Sequence, residues 1–120
     1  RGKEITRREL HEILQSSFNL SSVHSEYGMT ELLSQAYSSG EGKFYAPPWM
    51  KIFIRDSHDP LSILPPGKTG TINVIDLANR HSCSFLATSD IGKLYKDGSF
   101  EVLGRMDASD IRGCNLLVGM

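Results

Sequence analysis

Three short stretches of this sequence carry side chains suited to handling a nucleotide: Tyr27-Gly28-Met29-Thr30-Glu31, Thr88-Ser89-Asp90 and Gly104-Arg105-Met106-Asp107. A tyrosine beside a glycine offers an aromatic face on a backbone that can approach a planar ring closely. A hydroxyl followed by a carboxylate, Thr30 and Glu31, supplies a phosphate donor and an oxygen ligand for a hard cation such as Mg²⁺. A carboxylate can accept both hydroxyls of a vicinal diol, and an arginine can neutralise a phosphate oxygen or reach the sugar. Asp90 and Arg105 are the candidates for these last two tasks.

Each stretch also has a plainer reading. The first could be a strand end, a glycine turn and a helix cap, since Thr is a fair N-cap and Glu is favoured in a first helical turn. Thr88-Ser89-Asp90 before Ile91-Gly92 could be a polar turn in which Ser and Asp bond their own backbone. Gly104 to Asp107 could be a strand exit followed by a surface ion pair of little energetic weight. Only the ordered set separates the two readings.

That set resembles the nucleotide-handling motifs of the adenylate-forming enzymes, which activate a carboxylic acid with ATP. The stretches Gly92-Lys93-Leu94, Asp97 to Arg105 and Ile111-Arg112-Gly113-Cys114-Asn115-Leu116 resemble more narrowly the acyl-protein synthetase (LuxE-like) branch, related to the phenylacetate-CoA ligases. The resemblance runs from about Val23 to Leu116. It implies ATP and Mg²⁺ as cofactors and a fatty acid or other carboxylic acid as substrate. It puts nucleotide contacts on Tyr27, Gly28, Met29, Thr30, Asp90 and Arg105, the metal on Glu31, and a domain hinge on Asp107. Glu31 and Arg105 would assist the chemistry, and Cys114 would accept the acyl group as a thioester before it passes to an acyl-accepting reductase. In the alternative of an acyl-CoA ligase, coenzyme A is the acceptor and Cys114 is a packing residue. A third possibility is a non-catalytic domain that binds a nucleotide or a partner.

The family's glycine-, serine- and threonine-rich phosphate loop has no counterpart before Tyr27, and the catalytic lysine of a full C-terminal domain is missing. The chain also opens on Arg1 without a methionine. The expectation is a single domain spanning residues 1–120, the C-terminal part of a larger enzyme. Residues 1–40 would end an α/β subdomain and residues 41–120 would form a β-rich one. Alone it should not make adenylate.

The elements that must position these residues read as α+β: an N-terminal helix and short strand, followed by a small antiparallel sheet or distorted β-barrel. Thr6-Arg7-Arg8-Glu9 has capping-box spacing, and Leu10, Ile13, Leu14 and Phe18 recur at helical intervals, predicting a helix over 7–17. Residues 23–27 read as a strand that delivers Tyr27 to its carboxyl end. Residues 38–43 read as a flexible connection. Beyond Pro47-Pro48, strands are expected over 49–55, 71–77, 85–88, 92–95 and 99–103. The last two are joined across Asp97-Gly98, a strong hairpin signal. Residues 56–70, with three prolines and two glycines, read as a long surface excursion.

Composition narrows the field by exclusion. A chain of 120 residues at net charge −1 lacks the basic surplus typical of nucleic-acid and anionic-membrane binders. No stretch reaches the roughly 18 apolar residues of a membrane span, and no signal-peptide pattern opens the chain, so cytoplasmic is the default expectation. Cys83 and Cys114 are expected as free thiols. Next to Cys114, Arg112 could favour the thiolate and Gly113 could open access to it, although a buried inert thiol is the ordinary state of a free cysteine. His11, His24, His58 and His81 show no metal-ligand spacing, and most are expected as surface or packing residues; His24, just before the tyrosine motif, could touch a substrate there, but a packed or solvent-facing histidine is the more ordinary case. Gly67-Lys68-Thr69 lacks the preceding glycine and the following helix of a P-loop.

Overall fold

The computed structural model of the protein describes residues 5–106. Among these residues the one helix, α1 (Arg7–Phe18), begins where the sequence signals it. Thr6 Oγ1 accepts from the Glu9 amide and the Glu9 carboxylate accepts from the Thr6 amide, so two of the orphan donors at the helix start are satisfied reciprocally. Asn19 closes the helix in the left-handed region at φ 54°. None of its residues is buried, and Leu10, Ile13 and Phe18 are all exposed.

Strands β1 (Ser25–Tyr27) and β2 (Ala36–Ser38) pair antiparallel as a small ribbon. A six-stranded antiparallel sheet follows, in the order β3-β8-β7-β6-β4-β5. Its members are β3 (Lys43–Phe44), β4 (Met50–Arg55), β5 (Ile63–Leu64), β6 (Thr69–Asp76), β7 (Phe85–Leu94) and β8 (Phe100–Arg105). Among the described residues the sheet stays open, with β3 and β5 as its edges. A Tyr37–Tyr45 bridge ties the ribbon to the sheet beside β3.

The core follows from strand alternation. Met50, Ile52 and Ile54 of β4 and Ile72 and Val74 of β6 are buried, and period-2 spacing puts alternate residues of a strand on one face. Phe44 and Phe100 stack at 5.6 Å between ring centroids, and Tyr27, Leu32 and Ala36 complete the cluster from the ribbon side.

The structure corrects several boundaries. The expected strands 85–88 and 92–95 are one continuous strand, β7, because the polar residues between them bulge without leaving the sheet. The excursion 56–70 contains β5, a two-residue pairing with the end of β4. The connection 38–43 is bracketed by β2 and β3, which were not expected, and β1 is shorter than 23–27. The Asp97-Gly98 hairpin forms as expected, with Gly98 at φ 87°. No helix among the described residues is long and apolar enough to cross a membrane.

Candidate functional site

β1 ends at Tyr27, and residues 28–35 then form a loop that returns into β2. This loop carries Thr30 and Glu31, both exposed, and it has little regular structure of its own. Its shape is set by two polar side chains at the end of β6. Asp76, fully buried, accepts four hydrogen bonds: Leu33 N at 3.0 Å and Ser34 N at 2.9 Å on Oδ2, and Ser34 Oγ at 2.7 Å and Ala78 N at 3.1 Å on Oδ1. Burial by itself would raise the Asp76 carboxyl. The donors from Ser34, Ala78 and Leu33 together outweigh it and hold the group below its ordinary value, ionised. Asn79 Nδ2 donates to the Glu31 carbonyl at 2.7 Å and to the Cys83 carbonyl at 2.9 Å. Trp49 Nε1 donates to Ser34 Oγ at 2.8 Å, which extends the network to the start of β4.

The second half of the site is the meeting of β1, β7 and β8. Tyr27 Oη donates to Asp90 Oδ2 at 2.8 Å across 63 residues of sequence. Asp90 and Arg105 are cross-strand partners in the β7–β8 ladder, with Arg105 Nε 4.0 Å from Asp90 Oδ1. The Asp90 side chain retains 17% exposure and that of Arg105 retains 77%. The carboxylate is therefore held from one side by the phenol and remains open on another. Burial first, then the hydrogen bond to Asp90 and the charge of its carboxylate, raise the Tyr27 phenol far above its usual range, so it is a proton donor at any physiological pH.

Tyr27, Asp90 and Arg105 are thus brought together, while Glu31 stands on the neighbouring loop. The tyrosine ring differs from the expectation of an open stacking face. It is 7% exposed and makes T-shaped contacts with Phe100 at 5.5 Å and Phe44 at 6.1 Å. The aromatic core claims the ring because its burial releases apolar surface from water, and only the hydroxyl reaches the site. Gly28 packs so closely that an added Cβ would lie 3.0 Å from Gln35 Cγ, and Met29 packs against the core edge. His24 is exposed, and Gly67-Lys68 lies in an exposed turn before β6. Cys83 is free and exposed. Asp107 and Cys114 lie outside the described residues.

Sequence reasoning missed Asp76, Asn79 and Trp49. The signal available was Asp76-Leu77-Ala78-Asn79 at the end of a β-branched strand, which reads as a turn. That its carboxylate reaches back to a loop more than 40 residues earlier is visible only in the fold.

No protein-family model matches this chain, and no curated protein sequence does. Solved structures do. The O-succinylbenzoate coenzyme A synthetase MenE from Bacillus subtilis, in complex with AMP, superposes with a TM-score of 0.60 at 27% identity, covering 91% of this chain and 26% of that one. ATP-bound MatB from Rhodopseudomonas palustris superposes with a TM-score of 0.61 at 22% identity, over 81% of this chain and 23% of that one. A putative long-chain-fatty-acid CoA ligase from Rhodopseudomonas palustris gives a TM-score of 0.60 at 18% identity, over 84% and 30%. The chain spans about a quarter of the length of the structures it matches. The helix, two-stranded ribbon and six-stranded antiparallel sheet of the described residues are a fragment of the adenylate-forming enzyme fold.

Proposed function

We propose that this chain forms part of an ATP-dependent acyl-protein synthetase, which activates a fatty acid as acyl-AMP and transfers it to Cys114 as a thioester. The observation that carries the nucleotide half of this reading is the convergence of Tyr27, Asp90 and Arg105 from three strands. It leaves one carboxylate partly open beside a solvent-facing guanidinium. A ribose diol needs such an acceptor, and a phosphate beside it needs such a cation.

In the first step a carboxylate oxygen of the fatty acid attacks the α-phosphorus of ATP. The bond to the bridging oxygen breaks, and acyl-AMP and pyrophosphate form. Asp90 accepts from the ribose hydroxyls, and Tyr27 acts on the nucleoside through its hold on Asp90. The backbone of Gly28 and Met29 and the Thr30 hydroxyl border the phosphates, and Arg105 offsets charge developing near the sugar and α-phosphate. Among the described residues no group of three or more histidines, cysteines, aspartates or glutamates could enclose a metal ion. That fits Mg²⁺, which is commonly held by one or two carboxylates with substrate phosphates and water rather than by an all-protein cage. Glu31, exposed on its loop, is the residue that would hold it, and the ion would supply charge neutralisation at the phosphates. In the second step the Cys114 thiolate attacks the acyl carbonyl and AMP leaves, after a rotation about Asp107. The acyl group then passes to an acceptor such as a reductase.

A second reading draws on the similar structures, which are named as coenzyme A synthetases and ligases. There coenzyme A would attack the acyl-AMP and Cys114 would have no chemical role. Intact mass of the full-length protein after incubation with ATP, Mg²⁺ and a panel of fatty acids separates the two. The expected result is an added acyl mass that hydroxylamine removes and that the Cys114→Ser variant lacks. AMP release only when coenzyme A is present, with no adduct, would replace this reading with the ligase.

A further inference from the structure

The stretch Thr88-Ser89-Asp90 does not lie flat in the sheet. On β6, Thr71 pairs with Ile91 and Asn73 pairs with Ala87, so Ile72 alone stands opposite three residues of β7. A bulge of this size breaks the ladder, bends the strand and strands backbone carbonyls that would otherwise have found partners across it. On the other side of β7 a second shift falls between Ile91 and Gly92. Asp90 therefore lacks a partner on the β6 side and pairs with Arg105 on the β8 side just before that shift, so the ladder on one side alone bears on its direction.

Arg55, the last residue of β4, reaches over β6 to fill the gap. Its Nη1 donates to the Ile72 carbonyl at 3.2 Å and to Asn73 Oδ1, and its Nη2 donates to the Thr88 carbonyl at 2.8 Å. Thr88 Oγ1 then donates to the same Ile72 carbonyl at 2.9 Å and accepts from the Asp90 amide at 3.1 Å. A chain of hydrogen bonds thus runs from a guanidinium to the backbone of Asp90. The planar fork of arginine can serve two carbonyls on adjacent strands at fixed spacing, which a lysine ammonium cannot reproduce.

From this geometry we infer that Arg55, acting through Thr88, is a positioning residue that aims the Asp90 carboxylate at the sugar of a bound nucleotide. The inference rests on the nucleotide reading above. Arg55 touches no substrate. It holds the bulge in the one arrangement that brings Asp90 beside Tyr27 and Arg105, and its loss lets the carboxylate swing while the sheet around it persists.

The test is ribose discrimination, which a merely structural role would leave unchanged. Dissociation constants for ATP, 2′-deoxy-ATP and 3′-deoxy-ATP are measured on the full-length protein and on its Arg55→Lys, Thr88→Val and Asp90→Asn variants. Circular dichroism melting confirms the folded state of each. The unaltered protein should prefer ATP over the deoxynucleotides, and Asp90→Asn should abolish the preference. Arg55→Lys and Thr88→Val should each reduce it by about tenfold, the scale of one hydrogen bond to a charged group. If both variants keep the full preference while Asp90→Asn loses it, the positioning role of Arg55 is wrong and the nucleotide reading stands. If the unaltered protein shows no preference, the nucleotide reading fails and takes this inference with it. Should Arg55→Lys not fold, Thr88→Val decides, because it leaves the guanidinium on the Thr88 carbonyl and removes the hydroxyl's bonds to the Ile72 carbonyl and the Asp90 amide.

Discussion

The two ends of the candidate site are built by opposite means. At one end the Asp90 side chain itself is held, by the Tyr27 phenol on one oxygen, with the exposed Arg105 guanidinium 4.0 Å from the other, on a strand inside the sheet. At the other end the Glu31 side chain is exposed, and it is the backbone around it that is gripped, through Asn79 at its carbonyl and Asp76 two and three residues on. The difference suits the two ligands proposed above. A ribose has fixed geometry and rewards a fixed acceptor, whereas a hydrated cation beside a triphosphate rewards a carboxylate that can adjust. Rigidity at the Glu31 end is thus confined to the main chain, and the fold supplies it through polar groups buried beneath the loop.

If that is so, the largest effect in the molecule should come from Asp76→Ala. The change leaves four donors, three of them backbone amides, without their acceptor, the two of Ser34 buried and those of Leu33 and Ala78 part-buried. A cost of about 3–4 kcal/mol in urea unfolding is expected, since each buried donor stranded this way costs about 1–3 kcal/mol and part of the loss relaxes. Asp76→Asn adds a pH signature. The folded-state carboxyl is held below its unfolded value of about 3.9, so its stabilisation is complete above that pH and is lost as the pH falls through the folded value. The gap in stability between the protein and Asp76→Asn should therefore be widest near pH 7 and narrow toward pH 3. A gap that stayed constant with pH would mean that the loop is held by shape rather than by charge.

These two ends were unequally legible in the sequence. The capping box at Thr6, the Asp97-Gly98 hairpin and the β-branched run of β6 are local signals, and the structure follows them. Tyr27, Asp90 and Arg105 were named from their types and spacing and do converge. What stayed hidden is long-range. Two-residue strands such as β3 and β5 exist only because a longer neighbour offers them an edge, and no local pattern encodes that. The gap at Thr88-Ser89-Asp90 reads as a turn between two strands, yet the β6 pairing of Ala87 and Ile91 that flanks it, the pairing of Asp90 with Arg105 and the Arg55 fork hold it within one strand. Tyr27 reads as a ligand-facing ring, yet with Phe44 and Phe100 placed 17 and 73 residues later in the chain, core packing takes it. In each case the deciding partner lies far along the chain.

An intermediate effect is expected at the Asp90 end. Tyr27→Phe keeps the ring against Phe44 and Phe100 and removes only the hydroxyl that donates to Asp90. Loss of one hydrogen bond to a charged group should cost about 1.5–3 kcal/mol. The phenol is raised in the folded state, so its contribution is complete below the unfolded value of about 10 and fades as the pH rises beyond it. Urea titrations at pH 7 and pH 11 should therefore show a smaller difference between the protein and Tyr27→Phe at the higher pH. The same variant should weaken ATP binding several-fold, because Asp90 loses its support. Unchanged binding with reduced stability would make Tyr27 a core residue alone.

The smallest effect on stability should come from Glu31→Gln, and it is the sharpest check on the contrast between the two ends. The side chain is exposed, and the backbone carbonyl accepts from Asn79, a bond the substitution leaves in place. Unfolding free energy should stay within about 0.5 kcal/mol of the parent, as for surface changes in general. Nucleotide binding by the full-length protein should respond very differently. A neutral amide is a poor ligand for Mg²⁺, so the affinity gained on adding Mg²⁺ to ATP should largely vanish, while affinity for ATP without the metal stays close to that of the parent. Calorimetric titration with and without Mg²⁺ reads both quantities in one protein preparation. Should Glu31→Gln instead destabilise the fold as much as Tyr27→Phe does, its side chain would be part of the scaffold. The two ends would then be built alike.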